Sequence, residues 1–160
     1  MKRTFESPLV GFAYLLLPAL WFGLLVGVSF IATPAKFDAA SLALPVALDV
    51  GRATFAIFNK VEWFLAAAMI PVVIFSGPRL FPSMAVVVLG NLLLAQSAWL
   101  LPMLNDRIET IMAGGHPRPS LDHIFYIGID LVKLAVLAAM VWKEGTRILP
   151  LMLRLPKIER

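Results

Sequence analysis

The stretch IFYIGIDLVKLAVLAAMVW, Ile124–Trp142, holds nineteen mostly apolar residues, enough to cross the hydrocarbon core of a bilayer as a helix. Two ionisable residues, Asp130 and Lys133, sit inside it. With His123 and Tyr126 they fall at i, i+3, i+7 and i+10, which is one face of a helix. On the membrane-insertion scale Asp and Lys each cost about 2.5–3.5 kcal/mol at a helix centre, while each large apolar residue returns about 0.3–0.6 kcal/mol. The segment is therefore near break-even as an isolated span. Asp130 and Lys133 must be paired, hydrated or near an interface, and their i, i+3 spacing permits a direct ion pair.

Three further apolar blocks precede this one, at about 9–33, 55–76 and 80–103. The 160-residue chain is 60% hydrophobic and 15% charged, with a mean hydropathy of +0.86. Soluble domains are nearer 45–50% apolar and 25% charged. What remains outside the blocks is too short for a separate soluble domain. The expected architecture is all-α: one polytopic membrane domain over 1–160, a four-helix transmembrane bundle with spans at about 9–33, 55–76, 80–103 and 124–142. A β-barrel is excluded because the blocks are long and continuously apolar. The first block follows Lys2 and Arg3 as a signal peptide would, but its length favours a retained helix. There is no cysteine, so disulfides, thiolate metal sites and thiol catalysis are excluded.

The net charge of +4 reads as topology rather than nucleic-acid binding. Lys2, Arg3, Arg79, Lys143, Arg147, Arg154, Lys157 and Arg160 fall in the tails and the second loop. Basic residues of the other two loops are balanced by Asp38, Asp49, Asp106, Glu109 and Asp122. The positive-inside rule then puts both termini in the cytoplasm and makes 143–160 a basic cytoplasmic tail. The expected location is the inner (plasma) membrane of a bacterium, with the lipid bilayer as the partner.

Pro34 is expected to close the first helix and Pro102 the third. The apolar run Ser41–Val50, with Pro45, is either an interfacial helix or an early start to the second span. Gly77-Pro78 marks an inner turn, and Gly114-Gly115-His116-Pro117 an outer one.

Depth matching extends the stripe. Glu62, Gln96 and Asp130 each lie about 9–10 Å below the outer rim, at 1.5 Å per residue. Asn59 and Lys60 sit slightly above that level, and Asn91 and Lys133 slightly below. Arg52, Asn59 and Glu62 form a second polar stripe that suits a helix facing the last one. The candidate ligand or ion pocket is thus Arg52, Asn59, Lys60, Glu62, Asn91, Gln96, Tyr126, Asp130 and Lys133. Such groups mark solute, proton or ion sites, or they hold a bundle together by interhelical hydrogen bonds; the sequence leaves both open. Four short helices bury little surface, so a homo-oligomer or a larger membrane partner is also consistent, with the chain as a non-catalytic subunit or assembly factor.

His116 and His123 in the outer loop match no metal motif and are read as ordinary loop histidines, and they are too shallow to be axial haem ligands. No phosphate loop, HExxH or GxSxG occurs. No cofactor is expected. Glu62, Asp130 and Lys133 could do acid–base work, but no nucleophile or metal motif accompanies them, so an enzyme is disfavoured. The Ser, Thr and Trp residues of the spans read as packing groups and interface anchors.

Several short motifs carry a resemblance. Leu20-Trp21-Phe22-Gly23, then Phe30-Ile31-Ala32-Thr33-Pro34-Ala35-Lys36-Phe37, then Gly51-Arg52 with Phe58, and Leu121-Asp122-His123 at the start of the last helix together resemble the DUF4149 family of four-helix membrane proteins, which includes the TMEM205-like proteins. Thr33-Pro34 stands where that family shows Ala-Pro, and the run Asn59-Lys60-Val61-Glu62-Trp63 departs from its pattern. The resemblance implies a four-helix membrane fold, no defined enzymatic activity, and an association with drug and metal tolerance.

Overall fold

The structure, a computed structural model, describes residues 8–77 and 79–152. Lys2, Arg3, Arg154, Lys157 and Arg160 of the two basic tails, and Pro78 of the inner turn, lie outside the described residues. The described chain is helical: α1 (Pro8–Leu25), a wider π-helical segment Val26–Ala32, α2 (Thr33–Asp38), α3 (Leu44–Phe75), α4 (Leu80–Ala95), a second π-helical segment Gln96–Leu100, α5 (Leu101–Met112) and α6 (Asp122–Met152). End to end these make four rods long and apolar enough to cross a membrane, Val10–Asp38, Leu44–Phe75, Leu80–Met112 and Asp122–Ile148.

Neither proline stops its helix. Pro34 and Pro102 each stand second in the helical piece that follows a widened segment. A proline ring inside an α-helix clashes with the carbonyl four residues earlier and donates no bond to it. Those carbonyls belong to Phe30 and Ala98, both within the widened segments. Opening the turn relieves the clash, and the Thr33 hydroxyl adds a bond to Val28 O at 2.8 Å. The first rod therefore runs on to Asp38 and the third to Met112, where Gly114 at φ +80° ends it. Gly114 and Gly115 return N–H bonds to Ile111 O and Thr110 O, which satisfies the last carbonyls. The run from Ser41 resolves as an early start to the second rod. Leu44 follows an extended Ala43, and Pro45 sits at the helix start, where a missing N–H costs nothing. The last helix also continues well past Trp142.

Each rod packs on its sequence neighbours, and α6 closes the ring against α1. The core of Tyr14, Trp21, Leu25, Phe58, Leu65, Met69, Leu89, Leu93, Leu137 and Met140 runs along the shared axis. The outside is inverted relative to a soluble protein. Phe64 is 72% exposed while Glu62, two residues earlier, is 0% exposed. A rim of exposed large apolar side chains around buried polar ones is the pattern lipid requires.

Two ends can be told apart. At one, the cavity end, lie Asp38, the start of α3, Met112 and the start of α6. At the other, the tail end, lie Pro8, Phe75, Leu80 and the end of α6.

Candidate functional site

Every rod sends a polar side chain to one point on the axis: Trp21 from α1, Glu62 from α3, Gln96 from the head of the second widened segment, and Asp130 with Lys133 from α6. Lys133 Nζ donates to Glu62 Oε1 at 2.5 Å and to Gln96 Oε1 at 2.7 Å, and lies 3.0 Å from Asp130 Oδ1. Two of its N–H groups are thereby hydrogen-bonded, and Asp130 adds a close opposite charge. Trp21 Nε1 donates to Glu62 Oε1 at 2.9 Å. Gln96 is oriented at both ends of its amide, accepting from Lys133 and donating to Asp130 Oδ1 at 2.8 Å. Burial is complete or nearly so for all five.

Two features of this cluster have chemical weight. It holds two carboxylates and one ammonium, so with all three ionised it carries one uncompensated negative charge in a low-dielectric core. And Glu62 Oε2, buried, has no hydrogen-bond partner, which is costly for a carboxylate oxygen.

Of the nine candidates from the sequence, Glu62, Gln96, Asp130 and Lys133 meet directly. Tyr126 is their neighbour: its carbonyl lies 3.4 Å from Gln96 Nε2 and its buried ring stands edge-on to Phe55 at 5.3 Å. Asn59 joins a separate pair, donating to Ser97 Oγ at 2.9 Å beside Trp63 Nε1, also at 2.9 Å. Arg52 lies at the cavity end, against Asp49 at 2.7 Å and Glu109 at 3.5 Å. Lys60 and Asn91 do not belong: both are exposed, and Asn91 bonds only along its own helix to Val87 O at 2.8 Å. They matched in depth but not in phase. At about 100° per residue, Lys60 is turned roughly 160° from Glu62 and Asn91 roughly 140° from Gln96.

Trp21 corrects the reading of span tryptophans as packing groups and interface anchors, because it is a buried donor to Glu62. Its spacing with Tyr14 and Leu25, seven and four residues, was the available signal for an inward face. A second group that sequence reading missed lies at the tail end. Glu144, 4% exposed, takes Arg79 at 3.2 Å and Arg147 at 3.0 Å. Lys143 caps the Phe81 ring there at 3.8 Å.

Toward the cavity end, past Tyr126, the bundle opens into a cavity of 260 Å³. Its polar lining is Thr33, Lys36, Arg52, Asn105, Arg107 and His123, with no carboxylate among the lining residues. His116 and His123 are both exposed, and no cluster of three potential metal ligands occurs among the described residues.

Comparisons with protein-family models, curated proteins and solved structures return no match.

Proposed function

We propose that the protein is a small integral membrane protein that takes up a proton at its buried cluster and couples it to a solute or ion entering from the cavity end. One observation carries the reading: two buried carboxylates share one ammonium, and Glu62 Oε2 has no partner. A proton taken up by the cluster cancels the surplus charge, and a proton lost restores it. Charge exchange of this kind at an intramembrane carboxylate is the working element of proton relays. In this reading Glu62 and Asp130 are the acceptors, Lys133 is their counter-charge, and Gln96 and Trp21 hold the geometry. Both termini are cytoplasmic, since Arg79, Lys143 and Arg147 gather at the tail end, and the cavity end then faces outward, with the cluster near the middle of the rods.

The test is proton uptake by liposomes that contain the purified protein and an internal pH-sensitive dye, under an imposed pH gradient. Wild type is expected to acidify the lumen faster than protein-free vesicles, and Asp130→Asn and Glu62→Gln to lose the excess rate while inserting normally. If wild-type vesicles match empty ones, the reading fails.

A second reading has its own support. The five side chains close on one another rather than around a space, and the hydrogen bonds and ion pairs of Lys133 are made inside the cluster. In that case the cluster is a lock that fixes helix register in a subunit or assembly factor. Asp130→Asn would then lower the yield of folded protein, and any surviving protein would show no change in proton movement.

A further inference from the structure

The cavity at the outer end differs in sign from the cluster beneath it. Lys36 rises from α2 and sets its ammonium against Gly51 of α3, in the space that a Cβ at position 51 would take unless the lysine moved. The rings of Phe37 and Phe55 flank the ammonium at 5.0 and 5.8 Å, and both rings line the cavity. Arg107 is held by neutral oxygens, Arg118 O and Ser120 Oγ. Among the described residues neither Lys36 nor Arg107 has a carboxylate within ion-pair distance. Arg52 does, and its two acidic partners, Asp49 and Glu109, exceed its charge by one, but neither lines the cavity. Lys36 and Arg107 thus leave the lining positive, and much of the rest of the wall, including the rings of Phe37, Phe55 and Tyr126, is apolar.

A few polar groups converging on an apolar concavity define a small-molecule site. The planar fork of Arg107 matches an oxyanion, and Lys36 supplies a point charge. We propose that this cavity binds an amphiphilic oxyanion, a phosphate or carboxylate head on an apolar body, with the head at Lys36 and Arg107 and the body against Phe55 and Tyr126. This names a ligand class for the solute of the proposed function and rests on the cavity end being its way in. The same chemistry is presented by a free alkyl phosphate and by the headgroup of an anionic lipid.

The experiment is calorimetric titration of the full-length protein in phosphatidylcholine nanodiscs with octyl phosphate, octanol and octylammonium. Octyl phosphate is expected to bind at least ten-fold more tightly than either of the others. Lys36→Gln and Arg107→Gln should each weaken it by ten-fold or more, two variants on different helices so that misfolding of one does not decide the matter. Repeating the titration in phosphatidylglycerol nanodiscs separates the sources. Loss of octyl phosphate binding there identifies the lipid headgroup as the occupant, and unchanged binding identifies a free anion; both outcomes support the site. Equal binding of octanol, unchanged binding by both folded variants, or no octyl phosphate binding in phosphatidylcholine together with no anionic lipid carried through purification would overturn it. Proton uptake that depends on Glu62 in the absence of anion binding would leave the proposed function standing and remove only this inference.

Discussion

Helix α6 carries two i, i+3 ion pairs of the same length, Asp130–Lys133 and Glu144–Arg147, each at 3.0 Å. Their settings are opposite. Lys133 is fully buried and tied to two other rods, whereas the Arg147 side chain is 45% exposed. Distance and spacing therefore say nothing about what each pair contributes; surroundings do. Water screens an exposed pair and leaves it worth about 0–1 kcal/mol. Burial makes a pair costly to form, and costlier still to break on one side, because the stranded charge has no other partner.

The contrast can be broken by substitution. The largest effect is expected from Lys133→Met, which leaves Glu62 and Asp130 facing each other in the core. It should cost about 3–5 kcal/mol, read as loss of folded protein or a large drop in Tm in detergent. A shift of a degree or two would mean that the carboxylates are already compensated by something other than Lys133. Next comes Trp21→Phe, which keeps the ring and deletes the donor to Glu62. About 1–3 kcal/mol is expected, and no change in denaturant midpoint would show that the indole only packs.

Glu62→Gln sharpens the comparison from the other side. It removes the surplus negative charge and supplies a neutral head of the same shape, so stability should move by about 1 kcal/mol or less while proton uptake is lost. A strongly destabilised Glu62→Gln would favour the lock reading. The smallest effect belongs to Arg147→Gln, at most about 1 kcal/mol, checked by thermal melts at low and high salt. A loss comparable with Lys133→Met would erase the distinction between the two pairs.

Hydropathy and segment length were enough to read four spans, and the cost of Asp130 and Lys133 was enough to point at a buried centre. Depth counting then found Glu62 and Gln96. It failed for Lys60 and Asn91 because depth is one coordinate and rotation about the helix is another. Trp21 was invisible as a donor because indole is at home in lipid interfaces and in cores alike; only a carboxylate from another rod gives its N–H a role. Pro34 and Pro102 were misread as stops because a single sequence does not show that the preceding turn can widen. Glu144 was read as tail for a related reason: Trp142 looked like the membrane edge, yet α6 continues and keeps its inward phase. The cavity escaped because Lys36, Gly51 and Arg107 are brought together by the packing of three rods, and no one segment hints at it.

The surplus charge of the central cluster has an electrical consequence. Once the bundle spans a membrane, a charge on its axis sits within the transmembrane field, where one elementary charge moved across 100 mV is worth about 2.3 kcal/mol. A proton reaching Glu62 from the cavity end crosses part of that field. If the part is half, the contribution is about 1 kcal/mol, roughly a five-fold change in occupancy. Under the proposed function, the buried Glu62 Oε2 that lacks a hydrogen-bond partner would thereby make protonation of the bundle sensitive to voltage as well as to pH.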